Sequence, residues 1–271
     1  MRQVVPSGLL ILFALDLSGC VSSSLPDTKK FVAAVSATNS ASSVLLDELN
    51  VAEKNQFFEK TRASKAYSVR FVAGDSVYHS TLETFAPQTE KFRASIAILV
   101  TYANLIQSLA SGEDINHVHD SVNAIAMDVS LLAGNPTYGI AVAAFSPIID
   151  RMIAAKDRAE LIIVVRDSAP AIHKLINALI NSTPQMFEML QYNAFLGRGN
   201  ILTQSSSYRL ALSNFVVLLD RLESTFDRLF EALVNPTSRP TLDNLASATG
   251  ELSAYAGLVR QSLATIHSTP K

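Results

Sequence analysis

The chain has 271 residues, 48% of them hydrophobic and 17% charged, and a formal net charge of −2. Apolar content this high excludes an intrinsically disordered chain, and a charge so near zero lacks the basic footprint of a nucleic-acid binder. The 10 glycines fall well below the ~7% of an average protein, too few for the tight turns of a β-sandwich or barrel.

The first twenty residues read MRQVVPSGLLILFALDLSGC. Arg2 gives a positive start, and Gln3 to Leu15 carry no charge. That run is too short for a membrane-spanning helix, which needs ~20 apolar residues. It has the length of the apolar region of a signal peptide. It leads into Leu17-Ser18-Gly19-Cys20, which holds the sole cysteine of the chain. This quartet resembles the lipobox of bacterial lipoproteins. The resemblance implies cleavage between Gly19 and Cys20 and attachment of lipid, palmitate included, to the Cys20 thiol and amine. It also implies outer-membrane sorting, facing the periplasm, because Val21 and not an aspartate follows the cysteine. Acyl chains contribute ~0.8 kcal/mol per buried CH₂, so such an anchor is stable. With no second cysteine the chain forms no intramolecular disulfide and no thiolate metal site.

The expected organisation is a signal peptide over 1–19, a lipidated Cys20 with a short polar tether over 20–26, and a helical body over 27–271. The first helix is expected from about Thr28 to Ala66. Its apolar-to-small seam is Phe31, Val35, Thr38, Ser42, Leu45, Leu49 and Ala52, at steps of four and three. The Ser- and Ala-rich middle, around Ala41 and Ser42, is a candidate docking face, since small residues let another helix approach closely. The stretch from Phe71 to Leu82 reads as irregular. Pro87 sits near the next helix start, followed by Phe92, Ile96, Leu99, Ala103, Ile106 and Ala110, with Gly112 as C-terminal cap.

Asp114 is an N-cap for a helix with the stripe Ile115, Val118, Val122, Ile125, Val129 and Leu132, stopped by Gly134-Asn135-Pro136. One helical stretch is expected from about Ala141 to Arg166. Ser168 then caps, with Pro170 in the first turn, and Thr183-Pro184 repeats the signal, giving two short helices or one kinked helix over 168–196. The cleanest pattern is Tyr208, Leu212, Phe215, Leu219, Leu222, Phe226, Leu229 and Leu233, in a helix from Leu202 to Val234. The last helix repeats the spacing with Leu242, Leu245, Thr249, Leu252, Ala256, Val259, Leu263 and Ile266. A period near 3.5 with short connections predicts an all-α, elongated antiparallel multi-helix bundle with shallow crossings. Such seams serve intramolecular bundles and oligomers alike.

The chain carries no P-loop, no Gly-x-Ser-x-Gly elbow and no His-Glu-x-x-His. Gly134 and Gly139 have P-loop spacing, but Ile140 stands where a lysine is required. His117 and His119 are two apart, so on a helix they point ~200° away from each other and cannot share a metal. His79, His173 and His267 read as isolated. No catalytic residue, cofactor or metal ligand is therefore assigned, and the chain is read as a non-enzyme.

The 21 residues from Val129 to Ile149, VSLLAGNPTYGIAVAAFSPII, carry no charge. Their Gly and Pro breakers argue against one transmembrane helix. Two readings stay open: a buried turn between core helices, or an apolar hairpin meeting a membrane or partner through Gly134, Pro136, Gly139, Ile140 and Val142. The second resembles, in outline only, the head of α-helical pore-forming toxins. The apolar run Leu161 to Val165 reads as a fully buried helix turn or a strand. The expected function is a membrane-anchored, non-catalytic helical scaffold with an envelope protein partner. The alternative is a membrane-acting protein that inserts the 129–149 hairpin.

Overall fold

The computed structural model describes residues 28–63, 73–81, 84–196 and 201–268. Among them run ten helices: α1 (Lys29–Ala63), α2 (Ala73–Ser80), α3 (Pro87–Ser111), α4 (Ile115–Leu132), α5 (Gly139–Ala154), α6 (Arg158–Asp167), α7 (Ala169–Asn181), α8 (Thr183–Leu196), α9 (Ile201–Val234) and α10 (Arg239–Ser268). No strand occurs among the described residues. The architecture is the elongated antiparallel bundle that the periodicity predicts.

The seams form the core. Every seam residue of α9 from Tyr208 to Leu233 is buried. So are Leu245, Thr249, Leu252, Ala256, Val259 and Leu263 of α10, while Leu242 is only partly covered. Ile266 lies outside the described side chains. The α1 seam is buried throughout, including its polar members. Thr38 Oγ1 donates to the Ala34 carbonyl at 3.0 Å and Ser42 Oγ to that of Thr38 at 2.8 Å. A hydroxyl returned to its own helix can enter a core without an unmet hydrogen bond. The expected docking face on α1 is therefore corrected: Ala41 and Ser42 are 0% exposed, and their smallness serves close packing inside the bundle.

Side-chain contacts set the heights of the helices. α3 runs antiparallel to α1, pinned where Glu53 meets Gln88 and Thr89 and where Arg93 pairs with Asp47. Continuing that register puts the end of α3 beside the first turn of α1. Arg158 reaches the Ala110 carbonyl and Arg166 that of Leu233. The α3–α4, α5–α6 and α9–α10 turns thus share the end where α1 begins. The α4–α5 turn lies ~27 Å up the bundle, the length of the 18-residue α4 at 1.5 Å per residue. Above it, α1, α8, α9 and α10 continue to the far end, where Asn55 bonds Asn193 at 2.8 Å.

Local chemistry explains the breaks. Gly112 takes φ 78°, the left-handed C-cap conformation, and its N–H bonds the Ser108 carbonyl. Asp114 accepts from the Asn116 N–H at 2.8 Å, as its N-cap reading requires. Ala86, which precedes α3, has no capping side chain, so α1 supplies the cap. The Glu53 carboxylate accepts from the N–H groups of Gln88 (2.9 Å) and Thr89 (2.8 Å), satisfying two otherwise orphaned donors.

Four expectations are revised. A helix, α2, occupies Ala73–Ser80 where irregular chain was expected. The stretch 141–166 is two helices, because Asp157 caps α6 through the Glu160 N–H at 2.9 Å and Glu160 accepts from the Lys156 N–H at 2.7 Å. Ser168 precedes α7 but makes no cap bond; its hydroxyl turns back to the Val165 carbonyl at 2.6 Å. The run Leu161 to Val165 is helical yet not fully buried, since Ile163 is about half exposed.

Candidate functional site

The α4–α5 hairpin carries most of the residues singled out in sequence. Gly134 adopts φ 78°, a conformation that disfavours any Cβ. The Asn135 carboxamide accepts from the Thr137 N–H at 3.0 Å and closes an Asx turn. Tyr138 is fully buried beneath the tip and receives a 3.5 Å hydrogen bond from the Ser182 hydroxyl at the α7–α8 joint. Burial pushes the Tyr138 hydroxyl above the usual tyrosine range, so it stays a neutral partner.

Around this clamp the segment is two-faced. Leu132, Ala141 and Phe145 are buried, and Val142 packs partly covered against the core. Gly134, Pro136 and Gly139 face solvent, and Ile140 is 70% exposed. The segment is seated in the core on one side and leaves an uncharged apolar surface on the other. Met127 and Leu131 add exposed apolar area on α4. At the other face of α4, Asp128 lies near Glu90 of α3. Partial burial, and then that like charge, raise its carboxyl above the ordinary range.

His117 and His119 lie on α4 as expected, with His117 paired to Glu113 at 3.0 Å on the surface. His79 stacks on Phe57 with ring centroids 3.9 Å apart. His267 is outside the described side chains, and Cys20 and Gly19 lie outside the described residues. His173 is not isolated. Its Nε2 lies 2.6 Å from Asp227 Oδ1 and its Nδ1 3.6 Å from Glu223 Oε1. Asn177 also reaches Glu223, at 3.3 Å. Burial raises the Glu223 carboxyl, outweighing the opposing pull of His173.

This cluster joins α7 to α9. Sequence could not reveal it, because 46 to 54 residues of chain separate the partners. A weak signal was present: Glu223 and Asp227 are spaced i, i+4 and share one face of α9. Among the described residues the ring meets these two carboxylates and no hydroxyl or thiol, and the group ties α7 to α9 through side-chain contacts. Nor does any group of three or more His, Cys, Asp or Glu there suit a metal ion. Beside it opens a cleft of about 560 Å³ lined by Asp227, Arg228, Phe230, Glu231 and Val234. Its cation is already taken, since Arg228 pairs with Glu231 at 2.9 Å.

Among the described residues one helix, α3, is long and apolar enough to cross a membrane, and most of it is buried inside the bundle, as a core helix is. No protein-family model, curated protein or solved structure matches this chain.

Proposed function

We propose that this protein is a lipid-anchored envelope lipoprotein that acts as a non-catalytic helical scaffold. The observation that carries the reading is the apolar leader ending in Leu17-Ser18-Gly19-Cys20. The fold supports it. The described body starts at Thr28, and the eight residues after Cys20 can span at most ~28 Å. The end of the bundle nearest the anchor carries the polar α3–α4, α5–α6 and α9–α10 turns, and a protein partner would meet the helix faces beyond it.

Metabolic labelling with palmitate tests this reading. Label is expected in the wild-type chain and absent from Cys20→Ser. An unlabelled wild type in a host that acylates other lipoproteins contradicts it.

A second reading rests on the exposed Ile140 and the uncharged chain around it. Here the α4–α5 hairpin enters a bilayer. Its tip stands ~27 Å above the end at which α1 begins, so inserting it into the anchoring membrane requires the bundle to lie on its side. The tip is also tied to the α7–α8 joint through Tyr138 and Ser182, a contact that must break for the hairpin to leave the core.

A further inference from the structure

At the end of the bundle remote from the start of α1, helices α1, α8 and α9 line an open cleft of about 380 Å³. Its floor is Tyr208, nearly fully buried. Its walls include three carboxamides, Asn55, Asn193 and Gln204, and its rim carries the half-exposed Phe58 ring and Glu59. The volume lies within the ~300–1,000 Å³ of small-molecule sites.

The chemistry of the lining narrows the ligand. Among the described residues the lining holds no cation and one carboxylate, Glu59, which already has Arg62 at 3.6 Å. Asn55 Nδ2 donates to Asn193 Oδ1 at 2.8 Å, which fixes the orientation of both amides. That bond uses one donor of Asn55 and one lone pair of Asn193, Asn193 also meets the Tyr208 hydroxyl, and each carboxamide has two donors and two lone pairs. The walls therefore suit a neutral molecule that both donates and accepts hydrogen bonds at several points. The Phe58 ring adds a flat apolar surface at the mouth. Burial holds the Tyr208 hydroxyl protonated.

Peptide recognition fits less well. An extended peptide binds by adding to a sheet edge, and no strand occurs among the described residues. A helical peptide needs an apolar groove, and three amides interrupt this one. A pyranose ring presents hydroxyls around its edge and C–H groups on its face, which matches amide walls and an aromatic rim. We infer that the α1–α8–α9 cleft is a binding site for a neutral saccharide. The site is independent of the Cys20 anchor.

Isothermal titration of the chain from residue 21 onward, with chitotriose and with maltotriose, tests the inference. That chain keeps every buried side chain of the described bundle, from Thr28 to Leu263. Saturable binding of at least one trisaccharide is expected. Phe58→Ala and Gln204→Ala should each weaken it about tenfold or more, with circular dichroism unchanged. Ser224→Ala, in the cleft beside α7, should leave it as it was. Three results overturn the site: no saturation up to ~10 mM of either sugar, binding indifferent to Phe58→Ala and Gln204→Ala, or equal binding of triglycine.

Discussion

Helix α9 and the run α6–α7–α8 both climb much of the bundle, and they do so differently. α9 is one uninterrupted helix of 34 residues, ~51 Å long at 1.5 Å per residue. Its seam offers a large apolar side chain at each step, so a single straight face suffices. The other run is broken at Ser168 and Ser182. At each break a serine closes the last turn, bonding Val165 at 2.6 Å or Ala178 at 2.7 Å. At each a proline stands two residues on, where its missing N–H costs nothing. A buried tyrosine from elsewhere in the bundle covers each joint: Tyr102 of α3 bonds Ser168 and the Val165 carbonyl, and Tyr138 of the α4–α5 turn meets Ser182. The neighbours change at the second joint. α6 and α7 both touch α3, α5 and α9, whereas α8 packs on α1 and α9. The joint at Ser182 thus passes the run from α3 and α5 to α1, while α9 stays beside it throughout.

That contrast gives a ranked set of substitutions. Phe226→Ala, at the centre of the straight seam against Phe31 and Tyr102, should cost ~3–5 kcal/mol, read by urea denaturation. Ala41→Leu should cost ~1–3 kcal/mol by overpacking. An unchanged denaturation midpoint together with lost partner recovery would restore the docking face on α1. Glu53→Ala removes the cap that α1 lends to α3 and should cost ~1–2 kcal/mol, with amide exchange quickening at Gln88 and Thr89.

Tyr102→Phe tests a joint. At neutral pH it should cost ~1 kcal/mol, the net worth of one buried hydrogen bond. It should also flatten the alkaline limb of stability. Burial drives the native Tyr102 hydroxyl well above the ordinary tyrosine range, whereas the unfolded chain ionises near pH ~10. The wild type therefore keeps this contribution below that pH and loses it as pH rises beyond. Glu223 and Asp128 should act at the acidic end. Their native carboxyls are raised, so each makes stability fall as pH rises from the unfolded carboxylate range through the native one. Glu223→Gln and Asp128→Asn should remove their shares of that slope.

The seams were legible in the sequence because a period of 3.5 is a local property. Thr38 and Ser42 could be placed on the core face by spacing alone, though their hydroxyls gave no hint that the face was covered by the chain's own helices. The break at Asp157 was missed although Asp157-Arg158-Ala159-Glu160 is a capping box; the surrounding apolar run concealed it. Glu53 capping α3, Asn55 meeting Asn193 and His173 meeting Asp227 depend on which helices become neighbours, and that information is not local. Ile140 shows the same limit from the other side: an uncharged stretch does not say which of its faces the core will take.

We propose that acyl chains at Cys20, and not the α4–α5 hairpin, hold this protein at a membrane. Liposome flotation with dye leakage, using the chain from residue 21 onward and its Ile140→Asp variant, tests it most directly. Ile140 is exposed, so the variant should match the wild type in stability within ~0.5 kcal/mol. Neither chain is expected to float or to cause leakage. Flotation and leakage by the wild type that vanish in Ile140→Asp, with the fold intact, would contradict it and make the hairpin the membrane-acting part.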